Sequence, residues 1–231
     1  MNGKQQNTID PSVSQNRFLR NRDLIKQSKL GKATIVGAGG IGSALVQSAA
    51  IMGFKRLDIY DFDVLESHNL STTMYPQKYL NRPKAETAGK IAYSYGAESI
   101  GYNEPWTPNR RLNKVVFMCP DNMETRLQVY ETWHKDPSRE LLVDMRMGAL
   151  TMEIITVTPL VDHFLSSYLP SNEIADEECT AKHTIFCASV SSGFGLAQAF
   201  NVLMDRPYYA YIWASLSPIS IRRKHLVKSI I

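Results

Sequence analysis

Cysteine is scarce in this chain, and its three thiols, Cys119, Cys179 and Cys187, stand far apart. Three cysteines cannot build a four-thiolate zinc site or a disulfide framework, and no two of them form a C-x-x-C pair. The five histidines, at 68, 134, 163, 183 and 225, show no ligand spacing with acids or cysteines, so no zinc is expected. A reduced, cytoplasmic setting is the default expectation for free thiols. Met1–Gln15 is polar and lacks the apolar run of a secretory signal. Long apolar stretches are few. Ala33–Phe54 is uncharged and long enough to span a bilayer, but it begins with a β-like run and is broken by five glycines. A strand, a glycine turn and a buried helix account for it better. Cys187–Met204 is also uncharged, yet Ser189, Ser191, Ser192, Gln198 and Asn201 mark it as a core helix. The chain therefore reads as soluble.

What is present fits one modest globular domain. With 231 residues, 44% of them hydrophobic and 21% charged, the chain can bury a core of its own. Charge is distributed unevenly. Residues 17–32 hold six basic side chains against one acid, and 222–228 add four with none, which leaves the rest net acidic. Basic ends of this kind suit a phosphate-bearing ligand, a partner subunit or nucleic acid, or simply a solvated face.

The pattern alternates between strand and helix. Residues 10–30 are a basic, helix-permissive lead-in. Strands are expected at Ala33–Val36, Leu57–Tyr60, Val115–Cys119, Leu141–Asp144 and Leu150–Val157, with helices at Ile41–Gly53, Arg82–Tyr95, Asn122–His134 and about 186–204. Phe164–Cys179 reads as a loop with room for a short helix. The expected fold is α/β, a Rossmann-like, mostly parallel sheet with helices on both faces and an antiparallel C-terminal extension.

The sharpest local signal is Gly37-Ala38-Gly39-Gly40-Ile41-Gly42, a G-x-G-x-x-G between a strand and a helix. Glycines let the backbone turn tightly and approach a phosphate, while the helix N-terminus supplies N–H donors and the positive end of its dipole. Asp61 comes 19 residues after the last glycine, at the end of the second strand. An acid there can hydrogen-bond a ribose hydroxyl.

Beyond Asp61 the chain departs from a dehydrogenase. Asp61-Phe62-Asp63-Val64-Leu65-Glu66-Ser67-His68-Asn69-Leu70, then Arg82-Pro83-Lys84-Ala85, then Asp121-Asn122-Met123-Glu124-Thr125-Arg126 come in the order of one family's motifs. Together with Arg17-Phe18-Leu19-Arg20 they resemble the ThiF/MoeB/HesA family and the adenylation domains of ubiquitin-activating enzymes. The resemblance covers roughly residues 17–204. It implies a flexible segment at 1–16 and a single adenylation domain over 17–231.

The resemblance implies an ATP- and Mg²⁺-dependent adenylyltransferase. It would activate the C-terminal carboxylate of a ubiquitin-like or sulfur-carrier protein with a glycine-ended tail, and it would work as a homodimer. It assigns Gly37, Gly39, Gly40, Gly42, Asp61, Asp63, Asn69, Lys84 and Asn122 to nucleotide binding, with Asp61 on the ribose and Lys84 on phosphate. Asp121 would be the Mg²⁺-linked catalytic acid, and Arg20 would reach into the neighbouring subunit's site much as an arginine finger does. Cys179 would take the acyl group as a thioester or persulfide-linked intermediate; Asp176, Glu177 and Glu178 would raise its pKa, and Lys182 and His183 would lower it. Cys119 and Cys187, in apolar runs, read as core. The two C-x-x-C pairs of many relatives are missing.

Other readings remain for some of these groups. Asp121 could cap the helix that starts at Asn122, and Arg126 could pair with Glu124 or Asp23 or line the site. One departure matters: the family's N-L-x-R-Q becomes Asn69-Leu70-Ser71-Thr72-Thr73, so a cation that touches the triphosphate is missing. Lys78 or Arg82 could substitute, or the chain could be a non-catalytic partner subunit. A tRNA-directed relative that activates a carboxylate on a modified adenosine is the other enzymatic reading.

Overall fold

The computed structural model describes residues 16–170 and 183–228. Eight strands form one sheet: β1 (Lys32–Val36), β2 (Arg56–Tyr60), β3 (Glu98–Tyr102), β4 (Val115–Met118), β5 (Leu141–Gly148), β6 (Thr151–Val157), β7 (Tyr208–Leu216) and β8 (Ile219–Val227). Their order is β3-β2-β1-β4-β5-β6-β7-β8. The β3-β2-β1-β4-β5 half is parallel, and β5 to β8 continue as an antiparallel meander. Among the described residues, four α-helices flank the sheet: α1 (Gly40–Met52), α2 (Lys84–Ser94), α3 (Met123–Lys135) and α4 (Ile185–Leu203).

Strand residues alternate faces, and the two resulting cores differ. On one face Ile35, Leu57, Ile59, Phe117 and Val143 pack beneath α1, α2 and α4. On the other, Val36, Tyr60, Val116, Met118 and Leu142 meet α3 through Val129, Tyr130 and Trp133. The mostly parallel sheet with helices on both faces and an antiparallel extension is the architecture expected from the pattern.

Local differences have local causes. β3, Glu-Ser-Ile-Gly-Tyr, is half-exposed throughout and carries no apolar run by which to recognise it. β5 runs four residues past Asp144, because Arg146 and Gly148 keep their ladder with Glu153 and Thr151. Residues 17–24 form successive turns, and a 3₁₀ turn comes next at Gln27–Lys29. α4 is long and apolar enough to cross a membrane by length and composition. Here its inner face, with Cys187, Ala188, Ser191, Gly195 and Ala199, packs on the sheet and α1, and Gln198 Oε1 accepts the Tyr209 N–H at 2.8 Å. That makes it the core helix its polar residues indicate.

Candidate nucleotide-binding site

Parallel pairing brings several sequence-distant residues to one rim. Val36 pairs with both Tyr60 and Met118, so β1, β2 and β4 end at the same level. Gly37, Asp61 and the Cys119-Pro120-Asp121 turn therefore leave the sheet side by side. Chain direction also reverses here: β1 leads outward to β2 on one side, while β4 lies on the other. Open α/β sheets bind ligands at such a switch point, outside the carboxyl ends of the strands.

The four glycines of the turn do different jobs. Gly37 has φ +89°, and a Cβ there would meet the Cys119 carbonyl carbon at 2.6 Å. A Cβ on Gly42 would come within 2.0 Å of the Gly37 oxygen. These two let the turn close on itself and on β4. Gly40 would place a Cβ 3.2 Å from the Thr72 carbonyl oxygen, whereas a Cβ on Gly39 would meet nothing within 4 Å. Gly39 is also the N-cap of α1 and offers no side-chain cap. The N-terminus of α1 thus carries no side-chain cap and has open space beside Gly39, which leaves room for a phosphate.

Side chains from the rim hold this turn. Asp61 accepts the Ala38 N–H at 2.6 Å and the Asp63 N–H at 2.8 Å. Burial raises the Asp61 pKa above the usual aspartate value, against the opposing pull of those two hydrogen bonds and of Lys84. The buried Tyr75 hydroxyl donates to the Ala38 carbonyl at 2.6 Å, and Ser43 Oγ accepts the Met74 N–H at 3.0 Å. Neither group is marked in the sequence, since a lone Tyr or Ser carries no motif.

Lys84 opens α2 directly after Pro83, and its side chain is only 9% exposed. Its ammonium lies 2.7 Å from the half-exposed Asp63 carboxylate, and its backbone N–H bonds the Asp63 carbonyl. Asn69 sits in the 3₁₀ turn Ser67–Ser71, where its side-chain oxygen accepts the Glu66 N–H at 3.0 Å. That leaves the NH₂ of its side chain with donors to offer.

Asp121 is exposed, and its carboxylate receives one contact, the Asn122 side-chain NH₂ at 3.3 Å. The capping role falls to Asn122, whose Oδ1 accepts the Thr125 N–H at 2.7 Å. Asp121 is therefore free of helix duty. Arg126 differs from both expectations for it. It is buried, pairs with Asp144, and donates to the Pro120 carbonyl and to the Met145 carbonyl at 3.1 Å. Charged residues inside the apolar run of β5 are the one sequence hint of that cluster.

Some expected groups lie elsewhere. Arg17 donates to the Ala50 carbonyl and Gln27 to that of Met52, which fixes the lead-in at the C-terminal end of α1. The 13 residues of α1 span about 20 Å at a rise of about 1.5 Å per residue. Arg20, exposed at that far end, does not join the glycine turn of its own chain. Cys179 lies outside the described residues. Burial pushes the Cys119 thiol up to about 12 and raises that of Cys187, so neither is a thiolate near neutrality.

The position of the missing arginine, Thr72, lies at the site, with its carbonyl beside Gly40. Neither expected substitute is held there by a contact. Lys78 sits over the Tyr79 ring at 5.1 Å, and Arg82 is exposed near Glu86. Among the described residues no cluster of three or more His, Cys, Asp or Glu could hold a metal ion by itself. A Mg²⁺ bound chiefly by phosphates and water needs only one or two carboxylates, and Asp121 on this rim fits that donor set.

Fold and rim together define a Rossmann-like α/β domain with a candidate ligand site at its switch point. Its sequence matches the pattern of the ThiF family over residues 14–203, and the chain belongs to that family. It is 34% identical over 126 residues to the molybdopterin-synthase adenylyltransferase of Haemophilus influenzae, covering 48% of this chain and 50% of that protein. It is 33% identical over 143 residues to the catalytic subunit of the NEDD8-activating enzyme of Dictyostelium discoideum, covering 57% and 30%. The chain thus spans half or less of the length of these relatives. Among solved structures, Escherichia coli MccB aligns with a TM-score of 0.76 at 13% identity over 94% of this chain and 71% of that one. PaaA aligns with 0.75 at 14% identity over 99% and 78%. At those identities the likeness is one of fold.

Proposed function

We propose that the chain adenylates the C-terminal carboxylate of a small ubiquitin-like or sulfur-carrier protein with a glycine-ended tail. The observation that carries this reading is the convergence of the glycine turn, Asp61, the Asp63–Lys84 pair and an exposed Asp121 at one switch point. A carboxylate oxygen of the carrier forms a bond to the α-phosphorus of ATP. The bond from that phosphorus to the bridging oxygen breaks, and pyrophosphate leaves with its electron pair.

Each residue then has a task. The α1 N-terminus and the space above Gly39 receive phosphate oxygens. Asp61 takes a ribose hydroxyl with the lone pairs its two N–H donors leave free. Lys84 exchanges part of its contact with Asp63 for a phosphate oxygen, which needs little movement because its ammonium is already buried beside the rim. Asn69 offers its NH₂ to the same phosphates, and Asp121 orients the metal. Mg²⁺, when bound, neutralises charge on the triphosphate.

Arg20 serves a second copy. Because it lies a helix length from its own glycine turn, it can add a cation to an ATP site only in a dimer. An apolar surface next to it suits that assembly. Leu24, Met52, Leu196, Ala197 and Phe200 line a hollow of about 270 Å³, and Leu19 and Ile51 are exposed nearby. In this reading the partner's Arg20 supplies charge that Thr72 cannot. Cys179 is the acyl acceptor proposed for a second step.

The absent arginine at Thr72 favours one other reading, a nucleotide-binding partner subunit without turnover. ATP–pyrophosphate exchange separates the two. The first expects exchange that requires a carrier ending in Gly-Gly. ATP binding without exchange, across such carriers, would leave the partner-subunit reading in its place.

A further inference from the structure

We propose that Arg126 is the positioning residue for Asp121, acting from beneath the rim through the Pro120 carbonyl; this rests on the reading that Asp121 meets the metal of Mg·ATP. Arg126 is buried within α3, and its guanidinium reaches three groups at once. One nitrogen pairs with Asp144, and another donates to the Pro120 carbonyl and to that of Met145 at 3.1 Å. Pro120 immediately precedes Asp121, and Asn122 immediately succeeds it as the cap of α3. Asp121 thus sits between two tethered neighbours, while its own carboxylate faces outward with one long contact.

The tether is itself anchored. Asp144 is fully buried in β5, and its second oxygen accepts Arg146 Nε at 2.8 Å. Arg146 in turn donates to the Ser167 carbonyl at 2.7 Å and lies 3.6 Å from Glu153, whose carboxylate accepts the Tyr211 hydroxyl at 2.7 Å. Two acids and two arginines are therefore balanced across β5, β6 and α3. Burying ion pairs of this kind gains little stability over apolar packing of the same volume. What the cluster does supply is geometry. Arginine's planar fork can hold two carbonyls and a carboxylate in fixed relation, which a single lysine ammonium cannot. A carboxylate meant to orient a metal benefits from a backbone that does not reorganise when the metal arrives.

The test is a double-mutant cycle in which calorimetry reads ATP binding in Mg²⁺ and in EDTA, without any carrier. Thermal unfolding confirms that each variant is folded. In the unaltered chain, Mg²⁺ should tighten ATP binding at least tenfold, and Asp121→Ala should remove that enhancement. Arg126→Lys should reduce the enhancement about five- to tenfold while changing affinity in EDTA less than twofold. In the Asp121→Ala background it should change neither. Mn²⁺ replacing Mg²⁺ should show the same order by electron paramagnetic resonance. If Arg126→Lys fails to fold, Asp144→Asn replaces it and should give a smaller change of the same sign. Equal loss with and without Mg²⁺, or an undiminished loss in the Asp121→Ala background, would overturn the positioning role. An enhancement that survives Asp121→Ala would instead overturn the metal-linked role of Asp121, and the proposal with it.

Discussion

The parallel and antiparallel halves of this sheet solve different problems with the same kind of strand. In the parallel half, β1 is buried along Ala33–Val36 and β4 along its whole length, with helices on both sides. Every connection between parallel strands must cross over, so loop after loop returns to one carboxyl rim, and the glycine turn, Asp61 and Asp121 collect there. In the antiparallel half, β5 turns directly into β6 and β7 into β8, while β6 reaches β7 through a long connection that carries α4. β8 is exposed over nearly its whole length, and Arg222, Arg223 and Lys224 lie over Trp213, Tyr209 and Tyr211 of β7 at 5.1–5.7 Å. Charges on an edge strand discourage pairing with another chain. The candidate site thus lies where the topology reverses, and the basic C-terminal strand forms the far edge.

Substitutions on the rim should have the largest effects. Lys84→Ala is expected to lower carrier-dependent pyrophosphate exchange by about 10²-fold, of the order seen when one charge-stabilising donor is removed from an active site. Its thermal midpoint should change little, since Asp63 is half-exposed and can be solvated. Steady-state exchange beside a thermal scan checks this, and a large drop in midpoint would recast Lys84 as structural.

Within the glycine turn itself, two neighbouring positions should part company. Gly42→Ala forces a Cβ into the Gly37 oxygen and should cost about 1–3 kcal/mol, or several degrees of midpoint in a chain of this size. Gly39→Ala puts its methyl where nothing stands, so it should weaken ATP binding far more than it lowers the midpoint. Paired calorimetry and thermal unfolding decide it. If the two variants behave alike, Gly39 does not face the ligand.

Smaller effects should mark the other half. Arg222→Ala and Lys224→Ala each remove an exposed cation–π contact, about 0.5–1 kcal/mol, and should leave ATP affinity within twofold. A tenfold change in affinity would mean that the antiparallel half takes part in nucleotide binding. The smallest expected effect is in pH. Because burial raises the Asp61 pKa, the folded chain takes up that proton above the ordinary aspartate range near about 3.9. The stability this proton contributes is fully present below the unfolded value and is lost as pH rises through the folded one. Acidification should therefore weaken ATP binding earlier than titration of an ordinary aspartate would, and calorimetry across that range should show Asp61→Asn flattening the limb.

Much of this contrast is legible in the sequence. β1, the glycine turn and Asp61 form a contiguous signal, and Asp63, Asn69, Lys84 and Asp121 come in family order. What escapes is long-range or unpatterned. The sequence suggests Glu124 or Asp23 as partners for Arg126, but its partner is Asp144, brought beside it only when β4 and β5 align. β3 lacks an apolar face to announce it, and β8 reads as a basic cluster because its cations conceal the strand they stand on. Tyr75 gives no sign because its role depends on where the Ala38 carbonyl ends up. Local motifs survive the passage from sequence to structure, whereas buried partners are set by register.

Adenylation at the α-phosphate can be observed directly by incubating the chain and a Gly-Gly-ended carrier with ATP labelled at either the α- or the γ-phosphorus. If the chain is an adenylyltransferase, α-label joins the carrier in an acid-stable, hydroxylamine-sensitive adduct, γ-label leaves as pyrophosphate, and Asp121→Ala abolishes both. Carrier labelled from the γ-position, or ATP bound with no label transferred from either position, would contradict it.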